Sequence, residues 1–200
     1  MIIHLQLPPG AVVREHELSD ELGVGRTPIR EALQRLARDQ FVTVLPRRGM
    51  LVTPIDVADL TVLYETRALL EPYAARLACG RGGEQQWTAM EAALARSAGT
   101  DAAGLLDIDR ACHELIWDAA GNRFLAATLD TLYAQSDRLW HLYLAGVADT
   151  SEAVDEHRAV LAALRAADAD RAAALVEDHV RGFDQQVRAA VGRQLDSVTA

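Results

Sequence analysis

Hydrophobic positions along this chain change their rhythm once. Up to Thr53-Pro54-Ile55-Asp56 they come in short mixed blocks; beyond it they recur every three or four residues to the end. In the first part, Leu7-Pro8-Pro9-Gly10 is a turn signal. Glu15 to Leu22 reads as a short helix, broken at Gly23-Val24-Gly25. Thr27 to Arg38 reads as a second helix: Ile29, Leu33 and Leu36 give it an apolar face, and Pro28 stands in the first turn, where proline is tolerated. Phe41 to Leu45 and Met50 to Thr53 are β-rich runs around Pro46-Arg47-Arg48-Gly49, which predicts a hairpin with a basic tip. The second part carries helical patterns at about 57–79, 84–98, 101–119, 122–147, 150–167 and 169–195. Gly80 to Gly83, Gly99, Gly121 and Ala148-Asp149-Thr150 punctuate them, and no strand pattern intervenes.

The expected architecture is therefore mainly α. A winged helix-turn-helix with a small β-hairpin wing occupies residues 1–55, and an antiparallel bundle of about six helices occupies 56–197. Composition agrees with a cytoplasmic protein that has no membrane partner. Half of the residues are apolar and 24% are charged, and no run of about 18 apolar residues exists to span a bilayer. Met1 to Gly10 has no Lys, no Arg and no small-residue cleavage site, so it does not read as a signal peptide. Cys79 and Cys112 are too few for a disulfide framework and show no metal spacing. Cys112 beside His113 reads as a buried structural thiol, since adjacent helix positions face about 100° apart.

Charge changes the picture more than composition does. The net charge is −9, which read globally argues against a nucleic-acid partner. Its distribution reverses that. Residues 1–56 hold seven Arg and seven acids, and the whole deficit lies beyond them. Within 26–48, six Arg face only Glu31 and Asp39, a local basic footprint on an acidic protein. In a helix-turn-helix the second helix enters the major groove with its first turns. Arg26, Thr27 and Arg30 are placed for base edges, and Arg can bond two guanine acceptors at once. Gln34 and Arg35 lie a turn further, toward the backbone. Arg47 and Arg48 on the wing suit phosphate or minor-groove contact, with Gly49 allowing close approach. The plainer alternative is a solvated basic helix that binds nothing.

The stretch Leu18-Ser19-Asp20-Glu21-Leu22-Gly23-Val24-Gly25-Arg26-Thr27-Pro28-Ile29-Arg30-Glu31-Ala32-Leu33-Gln34-Arg35-Leu36 resembles the core of the GntR family of transcription regulators. The likeness continues through Arg47-Arg48-Gly49, and the long helical part is similar to the FadR/VanR-type branch with a C-terminal ligand-binding (FCD) domain. The resemblance implies homodimers on short palindromic operators, released or remodelled by an effector. It implies DNA contacts at Arg26, Thr27, Arg30, Arg35 and Gly49. The chain departs from the pattern in three places. Gly25 stands where a Ser is usual. Gln40 replaces a Gly and should strain a left-handed cap at the end of the recognition helix. The family's first helix, of a dozen or so residues, is expected here in shortened form over Met1 to Leu7.

In the helical part, polar residues fall on apolar stripes. Leu106, Asp109, His113, Ile116 and Ala120 form one stripe; Val154, His157, Leu161 and Leu164 a second; Val176, His179, Phe183 and Val187 a third. Each should face the core. An inward Asp is costly unless paired or bound to a metal, and Asp109 and His113 stack at i and i+4. A single inward His is more often a core residue than a ligand; three with an Asp are harder to dismiss. The family resemblance sharpens this, because that branch commonly carries one Asp and three His as a metal site. Asp109, His113, His157 and His179 match it, and the set suits Zn²⁺, or Ni²⁺ or Mn²⁺ with added water.

Arg67 lies on the stripe Leu60, Leu63, Arg67, Leu70, Ala74. It reads either as an ion-pair partner of Glu71 or Asp109, or as a fork for the carboxylate of a small organic acid held beside the metal. Asn122 either caps the next helix or lines that pocket. Tyr64, Trp117 and Trp140 read as packing residues. An enzyme is not expected. His113-Glu114 begins like HExxH, but position 117 is Trp, and no GxSxG, P-loop or GxGxxG occurs. A metal-dependent hydrolase in the bundle would leave the basic N-terminal part unexplained. A regulator that senses the metal alone is the third reading.

Overall fold

The computed structural model describes residues 1–47, 49–143 and 150–199. Arg48 at the hairpin tip and Ala148-Asp149 at the last predicted break lie outside the described residues. The chain divides into two units, Met1–Asp56 with Asp137–Leu142, and Val57–Ser136 with Tyr143–Ala200. No described helix is long and apolar enough to cross a membrane.

The first unit runs β1 (Val12–Val13), α1 (Glu15–Leu22), α2 (Arg26–Arg38), β2 (Val42–Leu45) and β3 (Gly49–Val52). Gly23 ends α1 at φ 64°, donating its N–H to Ser19 O, a left-handed turn that glycine adopts without a Cβ penalty. Leu18 of α1 and Ile29 and Leu33 of α2 are buried. Facing pairs in the sheet explain its register: Val42 lies opposite Val52, and both are buried. The sheet order is β1-β3-β2, antiparallel throughout. Strand β1 escaped the sequence pattern because two residues cannot display a period of two. Met1 to Leu7 forms turns, with Leu5 N–H on Ile2 O, rather than a shortened helix. Pro8 and Pro9 push the residues before them out of the helical region, which disfavours a helix running up to this pair. From a later helix over Arg123–Tyr143 this unit includes Arg138, which donates to Thr53 O at 2.7 Å and lies over the Phe41 ring.

The end of α2 bears out the strain expected at Gln40. Phe41 N–H reaches Leu36 O at 2.8 Å and Gln40 N–H reaches Ala37 O at 3.3 Å, the paired bonds of a Schellman cap. That cap forces Gln40 to φ 63°. A side chain there costs about 1 kcal/mol against glycine, so Gln40→Gly should stabilise the unit by about that much. Urea unfolding would show a higher midpoint at unchanged slope; an unchanged or lower midpoint would mean the cap carries no strain.

The second unit holds α3 (Val57–Arg81), α4 (Glu84–Ala95), α5 (Ala102–Ala119), α6 (Arg123–Tyr143, shared at its end with the first unit), α7 (Thr150–Arg165) and α8 (Ala169–Thr199). Polar caps set the starts: Asp101 accepts from Gly104 N–H at 2.9 Å, and Asp168 from Arg171 N–H at 3.0 Å. Helix α3 packs along α8 and against α5, and α7 packs on α8, α4 and α5. The stripes of α5, α7 and α8 therefore meet inside the bundle, and every member named above is buried.

Candidate metal centre and nucleic-acid interface

Helix α5 presents Asp109 and His113 one turn apart on its buried face. Helix α7 brings His157, and α8 brings His179. All four residues are only 1–3% exposed, and one ligand atom from each lies within 4.8 Å of the others. His113 Nε2 and His179 Nε2 stand 3.2 Å apart. Asp109 Oδ1 is 3.2 Å from His179 Nε2 and, although buried, has no well-aligned hydrogen bond.

What surrounds the imidazoles fixes which nitrogen carries a lone pair. His113 Nδ1 faces Glu71 Oε2. His179 Nδ1 meets Glu156 Oε2 at 2.7 Å. His157 Nδ1 meets Ala153 O, one turn back, at 2.9 Å. The Nδ1 atoms of His157 and His179 thus donate to oxygens, which leaves Nε2 as the acceptor on those two rings. His113 Nδ1 contacts Glu71 as an ion pair without a well-aligned hydrogen bond. Tyr133 donates to Asp109 Oδ2 at 2.6 Å, which leaves Oδ1 to face the imidazoles. The result is a buried meeting of acceptors, and such a cluster requires a proton or a cation between its members.

The protonation tendencies agree. Burial works against charge on His179, but the contacts and charges of Asp109 and Glu156 outweigh it and push its pKa up to about 9. Burial and the neighbouring His179 charge press His157 down to about 3, so it stays neutral. Burial alone would raise Asp109, yet the neighbouring imidazoles of His113 and His179 hold it far below the usual carboxylate range. Without a cation, the proton on His179 fills that role. The donor set, three neutral nitrogens and one carboxylate oxygen, fits a divalent transition metal.

Of the two roles read for Arg67, its geometry here is that of the ion pair. Its Nε and Nη2 lie 2.7 and 2.6 Å from Glu71 Oε1, with both side chains 1% exposed. Arg67 and His113 outweigh burial to hold Glu71 at about 2. Asn122 Oδ1 caps α6, accepting from the Phe124 and Leu125 amides at 3.2 and 3.3 Å. Tyr64, Trp117 and Trp140 are buried, and Trp117 packs 5.8 Å from both His113 and Tyr133. Burial also pushes the Cys112 thiol up, the signature of a structural cysteine. Sequence reasoning missed Glu156, Tyr133 and the link from Glu71 to His113. The adjacency of Glu156 to His157 and the i+4 spacing of Glu71 from Arg67 were the available signals; Tyr133 offered none.

On the first unit, Arg26, Thr27, Arg30 and Arg35 are exposed along α2. Arg30 forks Glu15 of α1, Nε at 3.0 Å and Nη2 at 2.8 Å. Arg47 and Gly49 are exposed at the hairpin tip, at φ 63° and 92°; Arg48 is outside the described residues.

Residues 62–182 match the family model of the FCD domain, and residues 1–52 that of the bacterial regulatory proteins of the gntR family. The Nta operon transcriptional regulator of Aminobacter aminovorans is 30% identical over 189 residues, covering 92% of this chain and 89% of that protein. The HTH-type transcriptional repressor RspR of Escherichia coli is 26% identical over 191 residues, 94% of this chain and 84% of its own. Among solved structures, Escherichia coli McbR/YncC matches with a TM-score of 0.81 at 22% identity, over 96% of this chain and 92% of that one. A transcriptional regulator of the GntR family from Pseudomonas syringae matches at 0.55 and 24% identity, over 98% of this chain and 83% of its own. At these identities the two structures speak for the fold.

Proposed function

Since this chain belongs to the gntR family of bacterial regulatory proteins and carries an FCD domain, we propose that it is a metal-assisted, ligand-responsive regulator. It is a DNA-binding transcription regulator by family; the finer reading concerns what it holds and how it reads DNA. In this reading residues 1–55 grip a palindromic operator as half of a homodimer. Arg26, Thr27 and Arg30 face bases; Arg35, Arg47, Arg48 and Gly49 face the backbone. Residues 56–197 hold a divalent ion, Zn²⁺ first, on Asp109, His113, His157 and His179, with a small organic acid beside it. The protein acts in the cytoplasm.

One observation carries the metal assignment. His113 Nε2, His179 Nε2 and Asp109 Oδ1 converge within 3.2 Å steps in a buried site, while the Nδ1 atoms of His157 and His179 are spent on oxygens. A bound ion would supply Lewis acidity to a ligand oxygen. Arg67 would share its guanidinium between Glu71 and the effector carboxylate. Asn122 has only its amide nitrogen left to offer a ligand, since its oxygen serves the cap. An effector changes operator affinity only if it binds the DNA-competent and incompetent states unequally.

The near-complete burial of the four groups favours a second reading, in which the ion itself is the signal. Two surface cavities, of about 670 and 530 Å³, are lined by other residues, such as Ala93 and Glu114, or Leu69 and Tyr73. Elemental analysis of the purified protein and of His157→Ala tests the shared premise. About one transition-metal ion per chain, lost in the variant, is the expected result. Protein still empty after reconstitution would return these histidines to the core. Acid binding measured with and without metal then separates the two readings.

A further inference from the structure

The metal reading concerns four residues, but the shell behind them is as ordered as the four themselves. Two of its members are carboxylates that were not part of the ligand pattern. Glu156 Oε2 takes the Nδ1 proton of His179 at 2.7 Å. Glu71 Oε2 contacts His113 Nδ1 as an ion pair without a well-aligned hydrogen bond, and its other oxygen is clamped by Arg67. An imidazole whose Nδ1–H is anchored to a carboxylate has its lone pair fixed on Nε2, its ring orientation fixed and its basicity raised. The charges close as well. Asp109, Glu71 and Glu156 contribute three negative charges and Arg67 one positive, which leaves two negative charges around three neutral imidazoles. A divalent cation balances them without a counter-ion.

We propose that Glu156 and Glu71 are positioning residues of the metal site, holding His179 and His113 in the tautomer and orientation that a divalent ion requires. The inference rests on the metal reading above. The two carboxylates differ in a useful way. Glu71 is 1% exposed and tied to an equally buried Arg67, so removing it strands a buried cation and threatens folding. Glu156 is 36% exposed and pairs with His179, so changing it removes one contact of that ring and strands no buried cation.

The experiment is a Zn²⁺ competition titration against a chromogenic chelator, on the full chain and on Glu156→Gln, Glu156→Ala and the paired Arg67→Met/Glu71→Gln. The thermal midpoint of each metal-free protein is measured beside it. Expected are losses of zinc affinity of roughly 10–100-fold, smaller for Gln, which still accepts a hydrogen bond, than for Ala. The metal-free midpoint of the Glu156 variants should fall by too little to account for the affinity loss, since the metal-free chain loses one contact of His179. Co²⁺-loaded Glu156→Ala should show an altered ligand-field spectrum. Wild-type affinity in the Glu156 variants overturns the positioning role while the metal reading stands. So does a fall in metal-free stability that accounts for the whole affinity loss. A wild-type chain that takes up no zinc overturns the metal reading itself, and this inference with it.

Discussion

Stripping the proposed ion with a chelator should lower the thermal midpoint by about 10 °C, and adding back zinc should restore it. A ligand that binds only the folded state adds about 4 kcal/mol when present at a thousand times its dissociation constant. About 1 kcal/mol corresponds to roughly 2–4 °C for a chain of this size. The chain should lose stability without losing its fold, because the stripes of α5, α7 and α8 bury Ile116, Leu164 and Val176 independently of the ion, and the metal-free site can place a proton on His179. Asp109→Asn removes the one charged ligand and should abolish the metal-dependent shift. Equal midpoints with and without zinc in the wild-type chain would count against the site, since a buried convergence of acceptors cannot be indifferent to a cation that satisfies it.

Much of the fold was legible because each part advertises itself by periodicity. Three- and four-residue spacing announced α3 to α8, and Gly23 and Gly121 marked breaks that the backbone confirms with positive φ. The four cluster residues were legible for the same reason: a charged or polar side chain at a stripe position must point inward, and three such stripes can only meet in the core. Their convergence within 4.8 Å needed the tertiary packing of α5, α7 and α8, which spacing along one helix cannot supply. Glu156 was invisible to that logic because it lies off the α7 stripe and reaches His179 across a helix pair. Arg67 was ambiguous for a related reason. Its inward position follows from its stripe, but whether it meets Glu71, Asp109 or a ligand depends on rotamers, and here both Nε and Nη2 turn to Glu71. Gln40 shows the converse case, where a single residue type against an expected left-handed cap was enough to locate strain.

Replacing Arg30 by Ala should weaken operator binding on the order of a thousandfold in the proposed dimer. A bidentate Arg–guanine contact discriminates by roughly 5- to 150-fold, and one Arg30 in each half-site multiplies the loss. Arg35→Ala, in the proposed phosphate role, should instead weaken all sequences alike and lower the salt dependence by about one counterion per site. The DNA-free geometry adds a condition. Arg30 is held by both Glu15 oxygens, and the pairing raises the guanidinium pKa while lowering that of the carboxylate. Base contact must break this fork, so Glu15 acts as a competitor for the hand that reads the groove. The pair is exposed, and exposed pairs are worth little, so Glu15→Gln should tighten binding by only a few-fold. Anisotropy titrations on an operator recovered by binding-site selection, at two salt concentrations, would read all three variants. If Arg30→Ala binds as tightly as the wild type while Arg35→Ala does not, α2 lies along the groove in another register, and the reading residues shift toward its first turn, to Arg26 and Thr27.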